Sequence, residues 1–176
     1  MSKYTFQTAA TDPIEFGGDP ALATAHLTTY ALDLTSENVT AISAICDTST
    51  DAVDRAKHGR DWWPLSMTWS LRNEVPQIPN VVCRPRTTQE VSLLLAYCND
   101  RSIAVTPSGG RSGVCGAAIP LSAGVSLDMT FMQGIESIDT VSGVVEVLAG
   151  TFGPDLEKAV RENGLTIGHY PQSFDI

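Results

Sequence analysis

The chain has 176 residues and a formal net charge of −9, which is length enough for one ordinary domain and too little for two comfortable ones. An acid surplus of that size excludes nucleic acid and anionic membrane as general partners, because both need a basic face; a small anion can still bind where local donors hold it. No window approaches the ~18 apolar residues of a membrane span, and the start MSKYTFQTAATDP has neither the basic nor the apolar region of a signal peptide, so a cytoplasmic location is expected.

Residues 1 to about 35 mix Gly, Pro, Thr and isolated apolar residues without period, which reads as a loose arm. From Ser36, taken as an N-cap, Val39, Ile42, Ala44 and Ile45 fall at helical spacing. His58, in RAKHGRD, reads as a solvated helix-end residue rather than a catalytic base. All three tryptophans lie in DWWPLSMTWSLRNEVPQIP. They suit an apolar cover packed on a core, with a ligand-lining cluster as the alternative. The four cysteines, Cys46, Cys83, Cys98 and Cys115, share no CxxC spacing and no nearby His pair, so they read as buried or incidental thiols and no metal is expected.

After Pro79 the pattern sharpens. NVVCRP is a short strand closed by Pro85, and TTQEVSLLLAYCN is a helix with Thr87 and Glu90 as a capping box and Val91, Leu94, Leu95 and Cys98 as its apolar face. SIAVTP is a second strand, followed by the glycine-rich stretch that ends in GVCGA. AGVSLDM is a third strand; its Asp128 reads as a turn-capping carboxylate rather than a base. GIESIDTVSGVVEVLAG holds two alternating strands about a turn near Ser142-Gly143, and GPDLEKAVRENG is a helix with Pro154 in its first turn and Gly164 just past its end. The order predicts an α+β domain of two strand-rich layers with helices outside.

The glycine stretch carries the functional signal. A dinucleotide fingerprint needs its glycines to open a helix, and Pro120 with VSLDM follows here instead. A P-loop needs Gly-Lys-Ser/Thr, and this loop has no lysine. What fits is a glycine-permitted turn whose backbone N–H groups, with the hydroxyls of Ser108 and Ser112, form an anion-holding nest without a helix. The same residues also suit a plain tight connection between strands.

PNVVCRPRTTQEVSLLLAYCNDRSIAVTPSGGRSGVCG, VSLDMTFMQGIESID and VVEVLAGTFGPDLEKAVRENGLTIGHYPQSFDI together resemble the first half of the FAD-binding domain of the vanillyl-alcohol-oxidase superfamily, the PCMH type. Within it they are most similar to the branch holding alkyldihydroxyacetone-phosphate synthases, glycolate oxidases and D-lactate dehydrogenases. The resemblance implies a lead segment over 1–71, partly helical, and over 72–176 the N-terminal portion of an incomplete PCMH-type FAD domain of mixed strands and flanking helices. It implies that Pro107, Ser108, Gly109, Gly110, Arg111, Ser112 and Gly113 surround the FAD pyrophosphate and that Gln172, Ser173, Phe174, Asp175 and Ile176 line the cofactor.

Arg111 stands where many synthase-like members carry a third glycine; it either adds a charge to the pyrophosphate or points to solvent. No His or Cys occupies the loop where covalently flavinylated relatives attach the flavin, which implies non-covalent FAD. His169 is either a polar neighbour of flavin or substrate or a structural histidine. The family's substrate-binding half lies beyond the matched segments, so the catalytic residues stay unassigned and the 176 residues alone are expected to be inactive. The implied function is an FAD-linked oxidoreductase oxidising a 2-hydroxy acid or similar alcohol. The alternatives are a synthase-like flavin-dependent transferase of ether-lipid synthesis and a non-catalytic binding fragment. A small-molecule substrate is implied as partner, and a homo-oligomer stays open.

Overall fold

Proline and glycine punctuation cuts the chain into short elements, and the computed structural model describes residues 16–27 and 33–175 of it. A 3-10 turn at Pro20–Leu22, capped by Asp19, leads into β1 (Thr24–Ala25). Most of the arm expected over residues 1–35 lies outside the described residues. Next come α1 (Ser36–Ser43), β2 (Asp47–Ser49), α2 (Ala52–Lys57), α3 (Pro64–Ser70) and β3 (Glu74–Val75). β4 (Val81–Arg84), α4 (Thr88–Asp100), β5 (Val105–Ser108) and β6 (Val125–Asp128) follow. After a 3-10 turn at Met129–Phe131 the chain closes with β7 (Ile135–Asp139), β8 (Val144–Val147) and α5 (Gly153–Arg161).

The main sheet has the order β2-β4-β6-β5. β4, β6 and β5 run parallel, in the register Val81↔Val125 and Val105↔Val125, and β2 lies antiparallel on the outer edge of β4. β6 has a parallel neighbour on each side and all four of its residues are buried, as expected for a strand covered on both faces. On one face Val81, Cys83, Val125 and Leu127 pack against Ile42 of α1 and against Leu94 and Cys98 of α4. The expectation of two strand-rich layers is corrected: besides this one sheet, the described strands form only the pairs β1–β3 and β7–β8. Short strands cannot build a second wide layer here because β7 and β8 spend their bonds on each other in a hairpin.

Local chemistry refines the helix boundaries. α1 is capped by Thr35, not Ser36, in a reciprocal box with Asn38. In α4 Thr87 accepts from the Glu90 amide, but the Glu90 carboxylate takes the Arg86 amide, one residue outside the expected box. The inner face of α4 is Val91, Leu94 and Cys98 with Tyr97, and Leu95 is 45% exposed. Cys46, Cys83 and Cys98 are buried free thiols and Cys115 is exposed.

Candidate functional site

The three parallel strands end together at Arg84, Ser108 and Asp128, and Ser108 sits directly across from Asp128. The carboxyl ends of parallel strands are where α/β sheets place ligands, because the connections leave a crevice there. The glycine loop starts at this edge. Its far end is braced by the Trp62 amide, which donates to the Gly113 carbonyl at 2.9 Å, so the tryptophan segment supports the loop from behind. Trp63 and Trp69 meet edge to face, and His26 stacks on Trp69. Between Gly109 and Gly113 the residue in the left-handed region is not a glycine but Arg111, at φ 56°. A non-glycine there costs on the order of 1 kcal/mol, and such residues cluster at functional sites.

A cavity of about 220 Å³ opens on the loop. Its walls come from three segments far apart in sequence: Gly109, Gly110 and Ser112; residues 149–153; and Pro171, Ser173 and Phe174. The Ser173 hydroxyl donates to the Ser112 carbonyl at 3.4 Å, joining the first wall to the third. A β-carbon built on Gly109 meets no protein atom within 4 Å, so the protein's own packing leaves that space free. Gly150 and Gly153 are the reverse: a β-carbon would strike the Met129 carbonyl at one and the Phe174 ring at the other. Those two glycines let the second wall close against its neighbours.

The second wall is not visible in the sequence pattern. It is the N-terminus of α5, whose N-cap Phe152 supplies no capping hydrogen bond. The amides of a first helical turn carry partial positive charge, although the acidic Asp155 shares that turn. The cavity beside the glycine loop therefore includes a helix N-terminus, contributed from across it rather than from the residues after the glycines. Of the other residues assigned by resemblance, Pro107, Ser108, Arg111, Gly113, Gln172 and Asp175 flank the lining segments without being part of the lining. Ile176 lies outside the described residues, and His169 is exposed.

Beneath the loop lies a buried charged cluster. His58, expected to be solvated, is 3% exposed; it caps the C-terminal end of α2, but the helix turns it inward under the sheet edge. Its Nε2 lies 3.1 Å from the Asp128 carboxylate, and its Nδ1 lies 2.8 Å from the Asp54 carbonyl and 3.3 Å from the Asp54 carboxylate. Arg84 binds both oxygens of Asp54 at 2.7 and 2.9 Å and reaches Asp128 at 3.3 Å. Asp128 also caps the next turn as expected, accepting from the Thr130 amide and hydroxyl.

Burial raises the Asp128 carboxyl, but hydrogen bonds from His58 and Thr130 bring it down to about 2. Burial raises Asp54 too, and His58 and Arg84 outweigh it, holding Asp54 well below the usual carboxylate range. Arg111 is pulled below its ordinary value by burial, partly offset by Asp128 and Asp54. Ser108 Oγ is buried and has no hydrogen-bond partner among the described residues.

Comparison with known proteins identifies the family. Residues 79–176 match the family model described as "FAD binding domain". The chain belongs to that family. FAD is its cofactor. The chain is similar to the mitochondrial D-2-hydroxyglutarate dehydrogenase of Bos taurus, 34% identical over 128 residues, 69% of this chain and 23% of that protein. It is similar to alkyldihydroxyacetonephosphate synthase of Dictyostelium discoideum, 30% identical over 105 residues, 58% of this chain and 17% of that protein.

A solved alkyldihydroxyacetonephosphate synthase superposes with a TM-score of 0.76 at 23% identity, covering 98% of this chain and 31% of that one. The α+β fold is therefore part of a PCMH-type FAD-binding domain. This chain spans less than a third of each of those three proteins. The residues present fit the cofactor on structural grounds. Among the described residues the space over Gly109 is unfilled, the buried Ser108 hydroxyl has no partner, and a helix N-terminus without a side-chain cap lines the cavity beside the loop.

Proposed function

We propose that this chain forms the phosphate-holding part of an FAD-dependent oxidoreductase that oxidises a D-2-hydroxy acid. The observation that supports this most directly is the cavity itself, in which the glycine loop, the α5 N-terminus and the Pro171–Phe174 tail converge. At about 220 Å³ it is smaller than the ~300–1,000 Å³ of whole-ligand pockets. It suits the pyrophosphate and its neighbours rather than the entire dinucleotide.

The amides of Gly109, Gly110 and Ser112 bind the phosphates from one side, and those at the start of α5 from the other. Arg111 supplies positive charge from beneath the loop, and the Ser112–Ser173 contact keeps the tail closed over it. When bound, FAD supplies hydride acceptance, and the protein supplies binding, orientation and exclusion of water. The substrate class rests on the likeness to D-2-hydroxyglutarate dehydrogenase. The likeness to alkyldihydroxyacetonephosphate synthase favours a second reading, a flavin-dependent transferase acting on a phosphorylated substrate. With the chain joined to the substrate-binding half that the family carries, reduction of the bound flavin by a D-2-hydroxy acid supports the first, and turnover of a phosphorylated substrate without net flavin reduction supports the second.

The site is tested by Gly109→Val. The added side chain enters open cavity rather than protein, so the fold should hold while the phosphates lose their place. The purified variant is expected to lose at least ~90% of its bound flavin, about 1.4 kcal/mol of affinity or more, with unchanged circular dichroism. Undiminished yellow absorbance would remove the loop from the cofactor site.

A further inference from the structure

The cluster under the glycine loop has a charge balance that its hydrogen bonds alone do not require. Both ring nitrogens of His58 face acceptors: Nε2 the Asp128 carboxylate, Nδ1 the Asp54 carbonyl and carboxylate. A neutral imidazole donates from one nitrogen only, so two acceptors call for the doubly protonated ring. With that proton in place the carboxylates Asp54 and Asp128 are matched by two cations, His58 and Arg84. Arg111 is then a third cation, within electrostatic reach of both acids and without an ion pair among the described residues. Its other cationic neighbour, Arg60, has Asp61 opposite it.

We propose that His58 is a positioning residue of the phosphate site: its protonated ring satisfies Asp54 and Asp128, so that Arg111 stays unclaimed by them and lends its charge to the loop and the phosphates it holds. When His58 loses its proton the pair of acids is one cation short. Arg111, the nearest remaining cation on a strained segment, becomes their counter-charge and is withdrawn from the loop. This deepens the proposed function and rests on it. It adds a chemical preference: the site should discriminate between diphosphate-bearing and phosphate-free flavins in a way that depends on the proton.

Every element packed on His58 contributes to the sign. Asp54 comes from α2, Asp128 with Thr130 from the end of β6, Arg84 from β4, and Arg111 from the loop. Burial pulls His58 down and the two carboxylate hydrogen bonds outweigh it, so its pKa lies above the ordinary 6.5. The positioned state is thus complete at mildly acid and neutral pH and fades as pH rises through that elevated value. Loss of one unit charge about 12 Å from a phosphate charge, in a medium of effective dielectric near 20, corresponds to about a tenfold weakening of binding to a diphosphate.

The test is a titration of the purified protein with FAD, followed by flavin fluorescence, from about pH 6 to about pH 9, bracketing the histidine range. Affinity is expected to fall about tenfold across that span, while affinity for riboflavin, which has no phosphate, stays level. His58→Gln keeps an N–H toward Asp128 without the charge; it should bind FAD as weakly at low pH as the parent does at high pH, with no slope. Nitrogen-15 NMR of the unaltered protein at neutral pH should show His58 protonated at both nitrogens, a reading that needs no variant to fold. Level FAD affinity across the range, a slope retained in His58→Gln, or a parallel fall for riboflavin would each overturn the role of His58 and leave the phosphate site standing. No FAD binding at any pH would overturn both.

Discussion

The cavity lies between two regions of unlike construction. The glycine loop leaves β5 beside β6, a strand buried from end to end, and rests on the His58–Asp128–Arg84–Asp54 cluster, with α1 and α4 packed against the sheet. The opposite side is α5 and the tail that follows it. There one carboxylate does most of the fastening: Glu157 accepts from the Tyr170 hydroxyl at 2.7 Å, from Thr166 at 2.8 Å, from the Ile167 amide at 2.9 Å and from Arg161. Most of the tail from Asn163 onward is exposed. The glycine loop therefore sits on a wall that is costly to move, and the tail opposite can open at the expense of a few part-buried hydrogen bonds to Glu157. Local unfolding follows the same division between well-packed and lightly packed segments.

Breaking the firm side should have the largest effect. Arg84→Met removes the cation shared by Asp54 and Asp128, with the Arg84 side chain 17% exposed. The buried Asp128 and the half-buried Asp54 are left with His58 as their charged partner, and breaking such an ion-pair cluster costs about 3 kcal/mol. Urea unfolding of the variant should show that loss as a lowered midpoint with unchanged slope. A loss below ~1 kcal/mol would mean that His58 alone balances both acids and that the two sides differ less than their contacts suggest.

The lightly held side should give way without disturbing the sheet. Glu157→Gln keeps one acceptor and loses the charge, so the ring signals of Tyr170 and Phe174, which meet edge to face, should broaden while the methyl signals of Leu94 and Val125 stay sharp. The same division should appear with pH. The Tyr170 hydroxyl first, against burial, with Ile167, Thr166 and Arg161 adding to it, brings Glu157 from 4.5 down to about 2. Its contribution is in full force above the ordinary carboxylate value and is lost as pH falls through about 2, so in acid the tail should loosen below pH 4. If the tail signals hold to the bottom of that range, Glu157 is not the fastening.

The sequence pattern reveals the two regions unequally, for physical reasons. α4 is legible because Val91, Leu94 and Cys98 recur at helical spacing, and the β7–β8 turn because Gly143 takes a positive φ of 70°. Gly109, Gly110 and Ser112 stand out by composition, and the resemblance links them to Ser173 and Phe174; the structure brings all five to one cavity. The α5 N-terminus stays hidden because its role depends on the chain folding back, with Gly150 and Gly153 pressed against Met129 and Phe174. The inward turn of His58 is not legible because α2 is six residues long, too short for a period to show which side faces the core. Its partner Asp128 is 70 positions away.

The smallest effect is expected at the tip of the β7–β8 hairpin, whose outer residues line neither wall of the cavity. Val141 is 97% exposed there. The turn around it is held by Asp139, which accepts from the amides of Val141 and Ser142 at 2.9 and 3.3 Å and from the Ser142 hydroxyl at 2.6 Å. None of these bonds involves the Val141 side chain, and any residue offers the same amide. Val141→Ser should therefore change unfolding stability by no more than ~0.5 kcal/mol and leave FAD affinity untouched. The hairpin also exposes Val144 at 56% and Val147 at 39%. A Val141→Ser loss above ~1 kcal/mol, growing with protein concentration, would show that in solution this apolar tip is covered by a second copy of the chain. The hairpin would then gain through association the burial that the loop side obtains from its own sheet.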